Sequence, residues 1–349
     1  MEEVEIVLLL LALVAVLTVL ARRVSVPYPI LMTIGGLVIG LVLNQVPGAP
    51  HISLAPELVF LLFLPPILFS AAYFTSPHEL KANARPIGLL AVGLVLVTTV
   101  AVGLILHALV PSMGWAAAFA LGAIVSPPDA VSATAIAQRL GLPRRVVTIL
   151  EGESLLNDAT ALVALNTALG AATVTVAWHT VGRDFVVAAG GGVLVGLVFF
   201  VVIGFVRKHV TDPVLDTGLS FLTPFAAYIT AEEIHASGVI SVVVAGLLLG
   251  HKSPILQTAQ SRIAERLTWR SVAFLLESSV FLLIGLQART IIGDAFGGEV
   301  STGTIAAVCS ATLVGVIVLR LVWVFFSRYF LVRPRADGGV GRPPWTYTF

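Results

Sequence analysis

Charge is scarce in this sequence. Only 11% of its residues are Asp, Glu, Lys or Arg, and 58% are hydrophobic. Soluble domains carry roughly 25% charged residues. A water-soluble globular chain is therefore excluded, and the expected class is an all-α integral membrane protein. Cysteine is almost missing: Cys309 stands alone, so no internal disulfide can form. It sits mid-span and reads as a small core residue. Net charge is only +1, so no overall field draws the chain to nucleic acid. The start, Met1-Glu-Glu-Val-Glu5, lacks the basic residues of a signal peptide. The first apolar run therefore reads as a retained helix. Gly190-Gly-Gly192 lacks the strand and acidic partner of a dinucleotide site. The histidines show no metal-ligand spacing, and no cofactor is expected.

Long apolar runs are what the sequence has in abundance. A spanning helix needs ~20 mostly apolar residues, and about eleven runs approach that criterion. They lie near Ile6–Ala21, Ile30–Val46, Leu54–Phe74, Ile87–Val110, Ala116–Gln138, Val146–Leu169, Phe185–Val206, Leu215–Ala231, Gly238–Gly250, Val272–Ile292 and Thr304–Phe326. Alternate loops are basic: Arg22 and Arg23; Lys81 and Arg85; Arg139, Arg144 and Arg145; Arg207 and Lys208; Lys252, Arg262, Arg266 and Arg270; then Arg328, Arg333, Arg335 and Arg342. The other loops hold only Arg183 and Arg289. Positive loops stay cytoplasmic, so the N-terminus is expected outside and the C-terminus inside. Gly36/Gly40 and Gly192/Gly196 are spaced for close helix packing.

The exceptional segment is Glu151-Gly-Glu-Ser-Leu-Leu-Asn-Asp158, with three carboxylates inside an otherwise apolar run. A charge at that depth costs at least ~2.5–3.5 kcal/mol, so ionisable residues there are usually functional. On a helix Glu153 and Asn157 share a face, as do Ser154 and Asp158. The alternative is a buried polar network that only fixes packing. It suits Glu153, because Arg320 in the eleventh run reads as the one basic residue deep in a span and offers a partner. Asp158 has no such partner, and a carboxylate there can trade a proton for a cation. Just upstream, Ser126-Pro-Pro-Asp129 places two prolines mid-span, which breaks the helix. Transporters build midplane ion sites from broken helices; the alternative is a simple kink. Glu277 is expected to pair with a backbone or hydroxyl donor such as Ser278 or Ser279. Glu232 and Glu233 are expected to be solvated, and His107 interfacial.

The run Gly152-Glu-Ser-Leu-Leu-Asn-Asp158 resembles the Gly-Glu-Ser-x-x-Asn-Asp signature of the monovalent cation/proton antiporters, in the sodium/proton exchanger branch. Leu64-Pro-Pro-Ile-Leu-Phe-Ser-Ala-Ala-Tyr-Phe74 looks like that family's third-helix motif. Phe281-Leu-Leu-Ile-Gly-Leu286 and Leu319-Arg-Leu-Val-Trp323 resemble its tenth- and eleventh-helix segments. The resemblance implies an inverted-repeat antiporter fold of thirteen helices with a broken fifth helix, and a homodimer. It implies residues 1–170 as a first repeat with the ion site and 171–214 as a linker helix. Residues 215–333 become an incomplete second repeat and 334–349 a cytoplasmic tail. Asp158 is implied as the transport carboxylate and transient sodium ligand, with Asn157 and Ser154 beside it. Asp129 is a further candidate, and Glu153–Arg320 a structural pair. Asn157, where electrogenic relatives carry a second Asp, suits one-for-one exchange.

The sequence departs from the family pattern in three places. Ser126-Pro127-Pro128 stands where many relatives read Thr-Asp-Pro. Ser70 replaces an acid, so no ligand is assigned there. The last two helices of the family are not among the eleven runs. The expected function is exchange of sodium for protons across the cell membrane, serving pH and sodium homeostasis, with no enzymatic activity. Lithium or potassium are alternative cations, and potassium/proton exchange is the second reading. A transport-inactive truncated fragment is a third; on that reading residues 1–349 alone insert but do not exchange. No filter motif supports a channel, and Asp129 and Asp158 lack the Gly-Asp context of an intramembrane aspartyl protease.

Overall fold

The computed structural model of the chain describes residues 2–24, 26–43, 61–129, 133–134, 136–137, 140–173, 178–297 and 301–327. The described residues are helical, with no strand among them. They form α1 (Glu2–Val24), α2 (Tyr28–Leu43), α3 (Leu64–Phe74), α4 (Pro77–Ala82), α5 (Ala84–Leu109), α6 (Trp115–Val125), α7 (Arg144–Thr173), α8 (Trp178–His209), α9 (Pro213–Glu233), α10 (Gly238–Leu256), α11 (Ala259–Gly297) and α12 (Thr302–Phe326). Five of these stretches are long and apolar enough to cross a membrane: Ala84–Leu109, Val186–His209, Gly238–Leu256, Ala259–Gly297 and Thr302–Phe326. Four shorter apolar helices accompany them, Leu8–Ala21, Tyr28–Val42, Leu64–Phe74 and Trp115–Val125.

Helix ends follow local chemistry. Ser76 accepts the Glu79 N–H at 3.4 Å, with Pro77 opening α4, a cap that satisfies an orphan donor. Asp212 does the same for Val214 at 2.7 Å ahead of Pro213. Thr258 accepts the Ser261 N–H at 3.1 Å and starts α11. That cap lies well before Val272, where hydropathy starts the tenth span, so Arg262, Arg266 and Arg270 are helical rather than in a loop. Gly141 turns the chain at φ 65°, a conformation that glycine adopts without strain. The break expected in the fifth run falls at its prolines: α6 stops at Val125, because Pro127 and Pro128 cannot continue it.

The chain divides into two compact units. The first comprises residues 1–74, 195–230 and 241–301. One of its close crossings joins α2 to α11. A Cβ on Gly36 would collide with the Leu282 carbonyl, and one on Gly285 with the Thr33 carbonyl. Only glycine lets these backbones meet. Val14, Leu17, Met32 and Leu282 form the adjoining core. Trp269 is fully buried, with ring centroids 5.3 Å from Phe69 and 4.8 Å from Phe221. Glu277 takes a long-range partner, the Tyr28 hydroxyl, which donates at 2.8 Å. Ser278 does not serve; its buried hydroxyl has no hydrogen-bond partner.

The second unit comprises residues 75–194, 231–240 and 302–349. Here α5, α6, α7 and α12 pack together. Val102, Leu106 and Ala118 are its buried cluster, flanked by Met113, Val308 and Val316. A Cβ on Gly122 would strike the Thr99 carbonyl, so α5 and α6 touch through backbone. His107 is half-buried, stacks on Trp115 at 3.8 Å and contacts the Met113 carbonyl at 2.8 Å. Glu232 and Glu233 are exposed, and Glu232 also accepts the Gly238 N–H at 3.0 Å. Cys309 is not a core residue: it is exposed on α12, a helix with no fully buried side chain.

Candidate functional site

The break after α6 shapes one side of the candidate site, in the second unit. Two successive prolines deprive the Ala123 and Ile124 carbonyls of their regular donors. Ser126 replaces one of them: its backbone N–H donates to Ala123 at 3.4 Å and its hydroxyl at 2.9 Å. Helical hydrogen bonding resumes with Ala133 N–H to the Asp129 carbonyl at 3.3 Å. A cavity of about 50 Å³ opens under this break, walled by Leu94, Thr98, Ser126, Pro127, Pro128 and Arg320 among others.

The acidic run lies on α7. Gly152 fits against α4 and α5, where a Cβ would come within 2.6 Å of Ile87 and 2.7 Å of Leu80. Glu153 is 1% exposed and is gripped at both oxygens by Arg320, Nη1 to Oε1 at 2.8 Å and Nη2 to Oε2 at 3.0 Å. Only the Nη2–Oε2 contact is a hydrogen bond; Nη1 adds an ion-pair contact to Oε1. One helical turn further, Asn157 is 0% exposed, yet neither its carboxamide oxygen nor its nitrogen has a hydrogen-bond partner. Ser154 and Asp158 are half-buried, and Glu151 is exposed. Asp129 is exposed and within electrostatic reach of Asp158. No basic side chain pairs with Asp158 among the described residues. Helix position thus places the Asp158 carboxylate and the Ser154 hydroxyl on one face and the buried Asn157 carboxamide on the neighbouring one, all oxygen donors suited to a small cation.

A second polar cluster, in the first unit, has no counterpart in the expectations from sequence. Arg207, counted there among solvated loop charges, is the more deeply buried arginine: its side chain is 1% exposed against 32% for Arg320. Arg207 is thus a second buried cation, at the end of α8 rather than within a span. Arg207 Nε donates to Asp216 at 2.7 Å, and Nη2 lies 2.8 Å from Glu265. Tyr73 and Gln257 donate to Glu265 at 2.7 Å each, and Gln257 also donates to Asp216 at 2.5 Å. Ser220 donates to the other Glu265 oxygen and receives the Trp269 indole N–H at 2.8 Å. Every carboxylate oxygen here has a donor, which is what keeps buried charges tolerable.

The sodium/hydrogen exchanger transmembrane family matches residues 8–345. A sodium, potassium, lithium and rubidium/H⁺ antiporter of Bacillus pumilus is 38% identical over 331 residues, 91% of this chain and 48% of that protein. A Mycobacterium bovis protein named as an uncharacterised Na⁺/H⁺ exchanger is 37% identical over 327 residues, 91% of this chain and 58% of its own length. The chain thus spans about half the length of these relatives. Among solved structures, the sodium proton antiporter MjNhaP1 of Methanocaldococcus jannaschii superposes with a TM-score of 0.71 at 18% identity, covering 95% of this chain and 80% of that one. At that identity the likeness establishes the fold.

Proposed function

The chain belongs to the sodium/hydrogen exchanger family, and from that premise we propose that it is a secondary transporter exchanging sodium for protons across the cell membrane. It is a multi-pass membrane protein, and exchange of ions makes or breaks no covalent bond, so no enzymatic activity is assigned. The observation that carries the reading is Asp158, with no basic partner among the described residues, next in sequence to a buried Asn157 whose two polar atoms are unsatisfied. A dehydrated cation would use the Asn157 oxygen and the Asp158 carboxylate together. When the cation leaves, a proton neutralises Asp158. One site that holds either ion, but not both, couples their movements. Ser154 adds a hydroxyl on the same face, Asp129 adds field from the break, and Glu153–Arg320 braces the helix. One carboxylate beside one carboxamide suits a one-for-one stoichiometry, and a homodimer is the expected assembly.

Potassium is the second candidate cation. The Bacillus pumilus relative is named for sodium, potassium, lithium and rubidium, and oxygen donors alone do not select by size. Proton flux in proteoliposomes driven by sodium, lithium or potassium gradients decides between them. Asp158→Asn is expected to abolish flux with every cation while leaving expression and folding intact. Retained sodium-driven flux in Asp158→Asn would overturn the assignment.

A further inference from the structure

Arg320 and Trp323 are three residues apart on α12 and share a helix face. Arg320 holds Glu153 on α7. Trp323 grips α5 instead. Its indole N–H donates to the Leu89 carbonyl at 2.9 Å. Its ring lies against Gly93, where an added Cβ would come within 2.6 Å of Cζ2. Both contacts fall on one irregularity: Leu89–Leu94 is a π turn inside the otherwise regular α5. Such wide turns carry one residue too many for the α ladder, are rare, and occur frequently at functional sites.

The residues leaving this turn are the ones that wall the cavity. Leu94 is its last residue and Thr98 lies about one helical turn beyond; both line the space shared with Ser126, Pro127, Pro128 and Arg320. Their direction depends on the extra residue. Each residue of an α-helix advances about 100° around the axis. Closing the wide turn into a regular one would swing Leu94 and Thr98 by about that angle, out of the cavity wall. Nothing in Leu89-Leu-Ala-Val-Gly-Leu94 enforces a wide turn: it has no proline and no Gly–Ser pair, the usual local causes of helix distortion. The turn packs against both α7 and α12, and the side-chain hydrogen bond to its backbone comes from Trp323 on α12.

We propose that Trp323 is a positioning residue for cation exchange: it clamps the wide turn of α5 and so fixes the cavity wall beneath the break in α6. The proposal rests on the exchange reading of the Asp158 site and adds a second arm to α12, one to each side of that site. The indole N–H and the glycine at position 93 are separable parts of the clamp. Trp323→Phe keeps a ring and removes the donor. Gly93→Ala keeps the donor and displaces the ring.

Both variants are to be compared with the unmodified chain in proteoliposomes. The expected result is an apparent KM for the driving cation raised by a factor of about 2–10, the fold-change of one neutral hydrogen bond. The maximal rate should change less than KM. Side-chain packing alone would lower yield or thermal stability and leave KM in place. A second measurement does not depend on transport. With Cys309→Ser removing the only native thiol, Thr98→Cys reports the cavity wall through its rate of reaction with a small methanethiosulfonate reagent. That rate should change several-fold when Trp323→Phe is added. Equal labelling rates with and without Trp323→Phe, or an unchanged KM in both clamp variants, would overturn the proposal. If the unmodified chain shows no cation-driven proton flux, the exchange reading fails, and the labelling rates still decide whether Trp323 sets the position of Thr98.

Discussion

Asn157 has no place in a sequence chosen for stability alone. It is fully buried on α7, and both its carboxamide atoms are unpartnered. Leaving a buried donor or acceptor unsatisfied costs about 1–3 kcal/mol, and proteins keep such violations at functional sites. Leucine, of similar volume, would remove the unsatisfied atoms. Asn157→Leu is therefore expected to raise thermal stability in detergent, by roughly 1–3 kcal/mol, while cation-driven proton flux falls to background. A less stable variant would show that Asn157 is satisfied within the fold and does not await an ion. At this scale the acidic run of α7 was legible because a charge inside an apolar stretch needs a reason, and the spacing already put Asn157 beside Glu153 and Ser154 beside Asp158. Arg207 was not legible. A rule that counts positive charges near span ends assumes they are solvated. It cannot see that Asp216, in sequence just beyond the turn, and Glu265, far along the chain, close over the guanidinium.

Pairs of helices, rather than single residues, decide what the Glu153–Arg320 bridge does. The pair joins α7 to α12 across 167 positions of sequence, and α12 has no fully buried side chain. Glu153 is almost completely buried, whereas Arg320 is about one-third exposed. Loss of Arg320 should therefore cost more than loss of Glu153, because it strands the buried charge. Breaking a buried pair typically costs ~3–5 kcal/mol; the exposure of Arg320 places this bridge towards the lower end. Glu153→Gln and Arg320→Met are expected to couple in a double-mutant cycle, the double variant being more stable than the sum of the single losses predicts. Additive losses in thermal unfolding would show that the bridge does not form. The sequence made this pair readable by offering a single base, Arg320, in one apolar run and acids, Glu153 among them, in another. It marked the end of α6 through two adjacent prolines, although hydropathy carries that run past them. It gave no sign of the wide turn in α5, whose first carbonyl accepts from a tryptophan over two hundred residues away. The place of Cys309 was misread for a related reason: hydropathy finds apolar helices but does not say which face meets protein and which meets lipid.

Across the whole molecule, the basic loops provide a test of topology that the two units support separately. In the second unit, Arg144 pairs with Glu79 at 2.8 Å and Arg145 donates to Asn83 at 3.1 Å. The loop after α3 and the loop before α7 therefore meet at one end. In the first unit, Tyr73 at the end of α3, Arg207 at the end of α8, Asp216 at the start of α9, and Gln257 and Glu265 around the start of α11 form one network. Those segments also meet at one end. All of them are loops expected on the same side from their charge. Contact between loops does not say which side that is; the excess of Lys and Arg does, because basic loops are retained in the cytoplasm. Single cysteines placed in a Cys309→Ser background at Lys81, Lys208 and Lys252 should resist a membrane-impermeant thiol reagent applied to intact cells. Cysteines at Ser112 and Ser301 should react. All five positions are exposed in the structure, so a failure to label reflects the membrane rather than burial. Permeabilised cells should label at every position, which separates a protected side from an unreactive thiol. The reverse pattern would place the N-terminus inside and invert the direction in which a sodium gradient meets the Asp158 site. Unequal protection at Lys208 and Lys252 would contradict the contacts that gather their two loops in the first unit.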